Sequence, residues 1–304
     1  MLEEHRVGIR YLEEVTTLLQ RVRAAHPTAG VFEAADFQWR WGKPRSTDTI
    51  PQLFWYDDAG RPEAAVIATD EGDGIDLDPI VMPDAGPDWI AHVVERGLDH
   101  ANESGFDAVE FVIDRADDIM AGVLAGHGFT IMKDEAVDSW LAASARPATG
   151  ALHSDYRLAN RLDTLSTPHH MSVRNGPDVE ERLRQTSLYR ADLDLVVLDG
   201  DDRAVAYGLF WFDPETATGL VEPMRTEDDH QRRGLARHLL TAGINLLVDA
   251  GADRIKIAWE QDNPSAVTLY TSVGFAAVRP CAVVSRPIKT QAQSPGPPSS
   301  RTTV

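Results

Sequence analysis

Apolar residues recur at helical spacing through residues 10–25, at Leu12, Val15, Leu18, Leu19 and Val22, with charges on the other side, which predicts a surface helix. Residues 52–70 then alternate as two strands joined at Asp57-Asp58-Ala59-Gly60, a hairpin signal. A strand over 75–81 leads into a helix with Pro87 in its first turn and Trp89, Val93, Val94 and Leu98 along one face. A strand over 106–113, a short helix over 116–125, a restart at Gly128-Phe129 and a last strand over 136–143 complete the run. Between the first helix and the hairpin, residues 31–51 carry Trp39, Arg40 and Trp41 with no clear period and read as a loop or short helix. Buried aromatics anchoring a long connection account for this stretch; lining a pocket is the alternative.

The second half repeats the order. A hairpin over 193–212 turns at Asp199-Gly200-Asp201-Asp202-Arg203, echoing the first. The next strand, 219–225, is interrupted by Pro223, which has no N–H for a ladder and so marks an edge or a bulge. A long helix from near Arg233 to Gly251, a strand through Ile255, Ile257 and Trp259, a short helix over 263–274 and Gly274-Phe275 follow, the last pair answering Gly128-Phe129. The pattern is an internal duplication of an α/β unit with a mixed sheet flanked by helices. It divides the chain into a unit over 1–146, a linker over 147–154, a unit over 155–288 and a tail over 289–304. The tail is rich in Ser, Pro, Gln and Thr and is expected to be disordered.

Chemistry concentrates at residues 219–240, a strand, an acidic turn and a helix start. The first turn of a helix leaves four backbone N–H groups unpaired at its positive end, and Gly234 and Ala236 are small enough to let a ligand approach them. That describes an anion site, most naturally for phosphate. Gln231, Gly234 and Ala236, followed by Asn263, Pro264, Ala266, Tyr270, Gly274 and Phe275, resemble the two signatures of the GNAT superfamily of acyl-CoA-dependent N-acyltransferases. The tandem arrangement is similar to that of mycothiol synthase. The resemblance covers about residues 155–288 and implies a twisted sheet whose fourth and fifth strands splay to admit the pantetheine arm, with Pro223 as a local reason for the splay.

By that resemblance the cosubstrate is acetyl-CoA. Backbone groups of Arg232, Arg233, Gly234, Leu235, Ala236 and Arg237, with Gln231, would hold the pyrophosphate. The backbone from Met224 through Arg225 to Thr226 would pair with the pantetheine amides, with the Met224 N–H near the acetyl oxygen. Tyr270 matches the family's general acid for the thiolate. Asn263 both caps the short helix begun by Pro264 and would contact the cosubstrate. Glu222 is the candidate general base, or else binds a cationic acceptor. Family members that carry a glutamate on this strand have it at the position of Leu220, and those with one on the fifth strand at the position aligned with Ala258.

Composition narrows the partners. The chain has 43% hydrophobic and 25% charged residues over 304 positions, a globular composition long enough for two domains. A net charge of −19 disfavours nucleic acid and anionic membranes and suits a cationic, small-molecule amine acceptor, with Arg232, Arg233 and Arg237 offsetting it locally. The acidic start and the lack of a long apolar run lead to an expected cytoplasmic location. One cysteine, Cys281, excludes an internal disulfide and reads as a packed strand residue. No metal is expected: the ten histidines are scattered, and His169-His170 reads as loop polarity.

The first unit lacks this chemistry. Where the second has Gln231-Arg232-Arg233-Gly234-Leu235-Ala236, the first has Asp84-Ala85-Gly86-Pro87-Asp88-Trp89, with a lost N–H, two acids and a bulky ring. One acetyl-CoA per chain is therefore expected, with the first unit a degenerate partner that walls the acceptor cleft through Trp39 and Trp41. The contrasting class is a non-catalytic acyl-CoA-binding sensor or assembly protein.

Overall fold

The computed structural model describes residues 2–72, 74–106 and 108–286; the tail over 289–304 lies outside them. The first half runs β1 (Leu2–Arg6), α1 (Ile9–Ala25), α2 (Ala34–Trp41), β2 (Gln52–Tyr56), β3 (Pro62–Asp70), β4 (Ile75–Val81), α3 (Pro87–Glu103), β5 (Val109–Asp114), α4 (Asp118–Gly126) and β6 (Thr130–Ala142). The second runs β7 (Arg157–Asn160), α5 (Ser172–Asn175), α6 (Val179–Arg184), β8 (Asp194–Leu198), β9 (Ala204–Asp213), β10 (Thr218–Thr226), α7 (Leu235–Ala250), β11 (Arg254–Glu260), α8 (Pro264–Val273) and β12 (Ala276–Ser285). The expected order of hairpin, strand, long helix, strand, short helix and strand is present in both halves. Neither β1 and β7 nor the two short helices α5 and α6 was anticipated from sequence. Among the described residues, no helix is long and apolar enough to cross a membrane.

All twelve strands form one sheet, ordered β1-β2-β3-β4-β5-β12-β6-β11-β10-β9-β8-β7. The centre of that order is an exchange. β12, the last strand of the second half, pairs with β5 of the first, while β6, the last strand of the first half, pairs with β11 of the second. β6 and β12 also pair with each other. Each half thus completes its sheet with a strand from the other.

Strict alternation puts successive residues on opposite faces. Leu209, Trp211, Phe54 and Ile67 belong to one apolar cluster, which joins α1 and α2 to Leu183 and Leu188 of the second half. Their neighbours Phe210 and Phe212 lie in a second cluster with α7 and α8, and Leu53 and Val66 in a third with α3 and α4. One face therefore carries a core common to both halves and the other carries two separate ones. The long helices approach the sheet closely at a glycine in each repeat: a Cβ on Gly97 would lie 2.9 Å from Val66, and one on Gly243 2.1 Å from the ring of Phe210.

Within each repeat the parallel pair opens early. β10 pairs with β11 only at Thr218↔Arg254, Gly219↔Ile255 and Leu220↔Lys256. β4 pairs with β5 only at Ile75↔Val109 and Asp76↔Glu110. In the second repeat β10 also bulges, because its register against β9 jumps between Val221 and Met224 at Glu222-Pro223, as the proline suggested. In the first repeat Asp78-Pro79 occupies the corresponding place, yet β3 and β4 stay in register through it.

Because β12 fills the place between β5 and β6, residues 1–146 expressed alone should show no cooperative thermal transition by circular dichroism, whereas the full chain should melt in one. A fragment over 1–146 that melts cooperatively would show that the first half closes its own sheet.

Candidate active site

The open end of the β10–β11 pair leads into a cleft of about 460 Å³ lined by Met224, Arg225, Thr226, Gln231, Arg232, Gly234, Leu235, Ala236, Arg237, Asn263 and Tyr270, with His230, Ser265, Ala266 and Leu269. Met224, Arg225 and Thr226 pair on one side with Gly208, Tyr207 and Ala206 of β9, leaving the other strand edge to the cleft. Gly234 caps α7 with φ 80°, and Arg232 also has a positive φ, 58°. For a residue with a Cβ this conformation is uncommon and carries strain of order 1 kcal/mol or more. The N–H groups of this turn are unspent: among the described residues, none from Arg232 to Arg237 donates to a protein acceptor. The guanidinium of Arg232 makes no ion pair among the described residues, whereas Arg237 is held by Ser272 Oγ at 2.7 Å. A Cβ on Gly234 would meet nothing within 4 Å, so this backbone faces open space.

The sequence correspondence between the helix starts shifts by one residue in the structure. Gly86, not Pro87, is the cap equivalent to Gly234, since α3 begins at Pro87 and α7 at Leu235. Gly86 has φ −74°, so the left-handed turn that gathers the N–H groups at α7 is missing at α3. The opening beside β4 and β5 has a volume of about 140 Å³, and Gly30, Val31 and Phe32 line it from the loop between α1 and α2.

Glu222 does not line the first cleft. It lies in a second one, about 480 Å³, with Leu220, Lys256, Ala258, Asp138, Ala136 and Cys281 from the strands, and Phe32, Asp36, Trp39, Arg40, Arg45, Glu71 and Asp76 around them. Residues 222, 220, 256 and 258 are alternate positions on two neighbouring strands, which places them on one face. The bulge that carries Glu222 is tied down by the Trp211 indole, which donates to the Glu222 carbonyl at 2.7 Å. Burial and the nearby Asp36 carboxylate push the Glu222 carboxyl up to about 7, against a smaller opposite effect of Arg40. Tyr270 stands on α8, capped by Asn263 through its side chain and the Ala266 N–H at 3.1 Å. Its ring packs on Trp259 at 5.6 Å, and burial, reinforced by the charge of Glu222, raises its phenol to about 12. Met224 belongs to one cleft and Glu222 to the other, so the two clefts meet across the bulge.

Of the residues selected from sequence, Met224, Arg225, Thr226, Gln231, Arg232, Gly234, Leu235, Ala236, Arg237, Asn263 and Tyr270 come together in the first cleft. Arg233 does not line it; its guanidinium bonds Tyr156 Oη at 2.9 Å and the Asp229 carbonyl at 3.1 Å. Trp39 lines the second cleft, but Trp41 is 7% exposed, bonds Gln185 and stacks beneath Arg182 instead. Cys281 is buried in β12 and its thiol is raised to about 12, chiefly by burial, so it is not an activated nucleophile.

The expectation of loop polarity for His169 and His170 is incorrect. Both side chains are buried against Asp194, at 2.8 and 2.9 Å, and Tyr189 also donates to that carboxylate at 2.9 Å. The Met171 N–H donates to His169 Nδ1, so His169 carries its proton on Nε2. Burial alone would raise Asp194; the two histidines hold it down to about 2. Sequence gave no signal for this cluster, because the carboxylate lies 25 residues from His169.

Comparison with known proteins adds a family. Residues 160–275 match the acetyltransferase (GNAT) family. A mycothiol acetyltransferase of Nocardiopsis dassonvillei is 26% identical over 87% of this chain and 89% of its own. Another from Clavibacter sepedonicus is 26% identical over 50% of this chain, and the match spans only 43% of that relative. The fold is that of a tandem GNAT protein from the clavulanic acid biosynthesis pathway, with a TM-score of 0.65, 13% identity and coverage of 93% and 98%.

A carboxyl raised to about 7 favours its protonated form in the folded chain, so its stabilising effect is complete below the unfolded carboxyl range near 4.3 and is lost as pH rises through about 7. Glu222→Gln should therefore raise the melting temperature relative to the parent at pH 8 and change it little at pH 4. An equal shift at both pH values would show that Glu222 titrates as an ordinary surface carboxylate.

Proposed function

We propose that this chain, which is a tandem member of the GNAT acetyltransferase family, is an acetyl-CoA-dependent N-acetyltransferase that acetylates a primary amine of a small molecule in the cytoplasm. The observation that carries the reading is the meeting of the two clefts at the β10 bulge. One presents unpaired N–H groups and a free arginine to an anion, and the other presents a carboxylate to an amine. Within this reading residues 155–288 form the catalytic unit, 147–154 the linker and 1–146 the degenerate partner. That the relatives above are mycothiol acetyltransferases supports a small-molecule acceptor.

Acetyl-CoA supplies the activated acetyl thioester. The N–H groups of Arg232, Gly234, Leu235, Ala236 and Arg237, with the Arg232 guanidinium and Gln231, bind its pyrophosphate at the positive end of α7. Arg233 contributes through its backbone, its side chain being spent on Tyr156 and Asp229. The free edge of Met224, Arg225 and Thr226 orients the pantetheine arm, and the Met224 N–H faces the position of the acetyl oxygen, where it stabilises developing negative charge.

Glu222 takes the proton that the amine loses as its nitrogen bonds the acetyl carbon. A carboxyl near 7 is matched to proton transfer from an amine at neutral pH. Tyr270, with its phenol held at about 12, keeps its proton until the carbon–sulfur bond breaks and then gives it to the departing sulfur. The proton removed on the acceptor side is thus balanced by one delivered on the thiol side. A sensor that binds acyl-CoA without turnover would not need a carboxylate and a phenol on the two sides of the bulge.

In steady-state thiol-release assays Tyr270→Phe should lower kcat by roughly ten- to a thousand-fold with acetyl-CoA affinity retained. Unchanged kcat, with chemistry shown to be the slow step, removes Tyr270 from the mechanism. For the parent enzyme kcat/KM should rise with pH through about 7 as Glu222 loses its proton. Glu222→Gln should abolish that limb together with most of kcat; if KM rises and kcat is kept, Glu222 binds the acceptor and does not deprotonate it.

A further inference from the structure

The second cleft is lined by three cations and five carboxylates, and the way they pair restricts what can enter it. Arg40 binds Asp78 at 2.5 Å and Asp76 at 3.3 Å, with Glu71 at 3.6 Å. Arg45 binds Glu71 at 2.8 Å and the Asp70 carbonyl. Lys256 binds Asp138 at 3.1 Å and the Val31 carbonyl, and Arg279 reaches the same Asp138 at 3.4 Å. Every cation of the lining is therefore engaged. Two lining carboxylates are left without an ion pair among the described residues. Glu222 stands on the bulge, and Asp36 on α2 accepts only the Glu33 N–H at 2.7 Å.

We infer that the acceptor is a cationic amine that bears no acidic group, with its ammonium seated between Glu222 of the second half and Asp36 of the first. This rests on the acetyltransfer reading above and specifies its substrate class. An acid on the acceptor would find every cation of the lining already paired with a carboxylate, and capturing Arg40 would strand the buried Asp78 without its partner. An ammonium instead supplies the charge that Glu222 and Asp36 lack, and Trp39 and Phe32 offer apolar and aromatic surface beside it. Burial raises both carboxyls, and Asp36 adds to the rise of Glu222, against smaller opposing charges of Lys256 on Asp36 and of Arg40 on both. Asp36 is a positioning residue: it holds the amine toward Glu222 and exchanges no proton with it.

The test compares matched amines that differ by one carboxylate, such as tyramine with tyrosine, histamine with histidine and agmatine with arginine, in thiol release with acetyl-CoA. The acid-free member should have the higher kcat/KM by about tenfold or more, since like charges brought together in an enclosed site repel. Asp36→Asn keeps an oxygen for the Glu33 N–H and so preserves the helix cap. It should raise KM for the acid-free amine about tenfold with kcat within about twofold, narrow the preference and leave acetyl-CoA affinity unchanged; Asp36→Glu should restore part of the loss. Equal or better turnover of the acidic members overturns the inference while leaving acetyl transfer intact, as does an Asp36→Asn variant with unchanged KM and preference. Acetyl-CoA binding without turnover of any amine would overturn the acetyltransfer reading and this inference with it.

Discussion

Parallel pairing between β10 and β11 stops at Leu220↔Lys256, and the candidate site depends on that interruption. A sheet that stayed paired would satisfy its backbone internally and leave no edge between the faces. Beyond Leu220, β10 turns to β9 and β11 to β6, so the edges of Met224 to Thr226 are open between two strands that are each secured on the outer side. The bulge at Glu222-Pro223 fits this geometry, because proline has no N–H to leave unpaired. It also carries Glu222, which lines the second cleft beside the first.

The first repeat has the same architecture with a different strand and helix start. Its parallel pair opens after Asp76↔Glu110 and retains an acid followed by proline, Asp78-Pro79. There the strand is not bulged, Arg40 neutralises Asp78, and Val31 and Phe32 line what remains of the opening. The loop and helix that occupy this region also supply Asp36 and Trp39 to the other cleft. The same stretch, residues 30–45, thus lines both the first repeat's opening and the second cleft.

How much of this was legible in the sequence follows from the range of the interactions. Gly234 at a left-handed cap, Asn263-Pro264 at a helix start and Pro223 at a bulge are local backbone chemistry, each readable from a few neighbouring residues, and together they located the first cleft. The residue pairing in the second cleft was not legible, since Asp36 and Glu222 come from different halves. Nor was the exchange of β6 and β12, because each strand has the same alternating pattern whichever neighbour it chooses. Arg233 illustrates a subtler limit. Its place in the motif is unmistakable, but Tyr156, 77 residues away, decides where its guanidinium goes. The burial of His169 and His170 likewise depended on Asp194, which no spacing rule connects to them.

The central claim is that a single anion-binding helix start, at Gly234, equips one of two similar repeats for acetyl-CoA. Calorimetric titration with CoA tests it most directly. The account predicts a stoichiometry near one per chain for the parent and no binding for a folded Gly234→Glu variant, in which a side chain and a negative charge would enter the space that the backbone leaves open. A stoichiometry of two, or a site that survives Gly234→Glu, would contradict it.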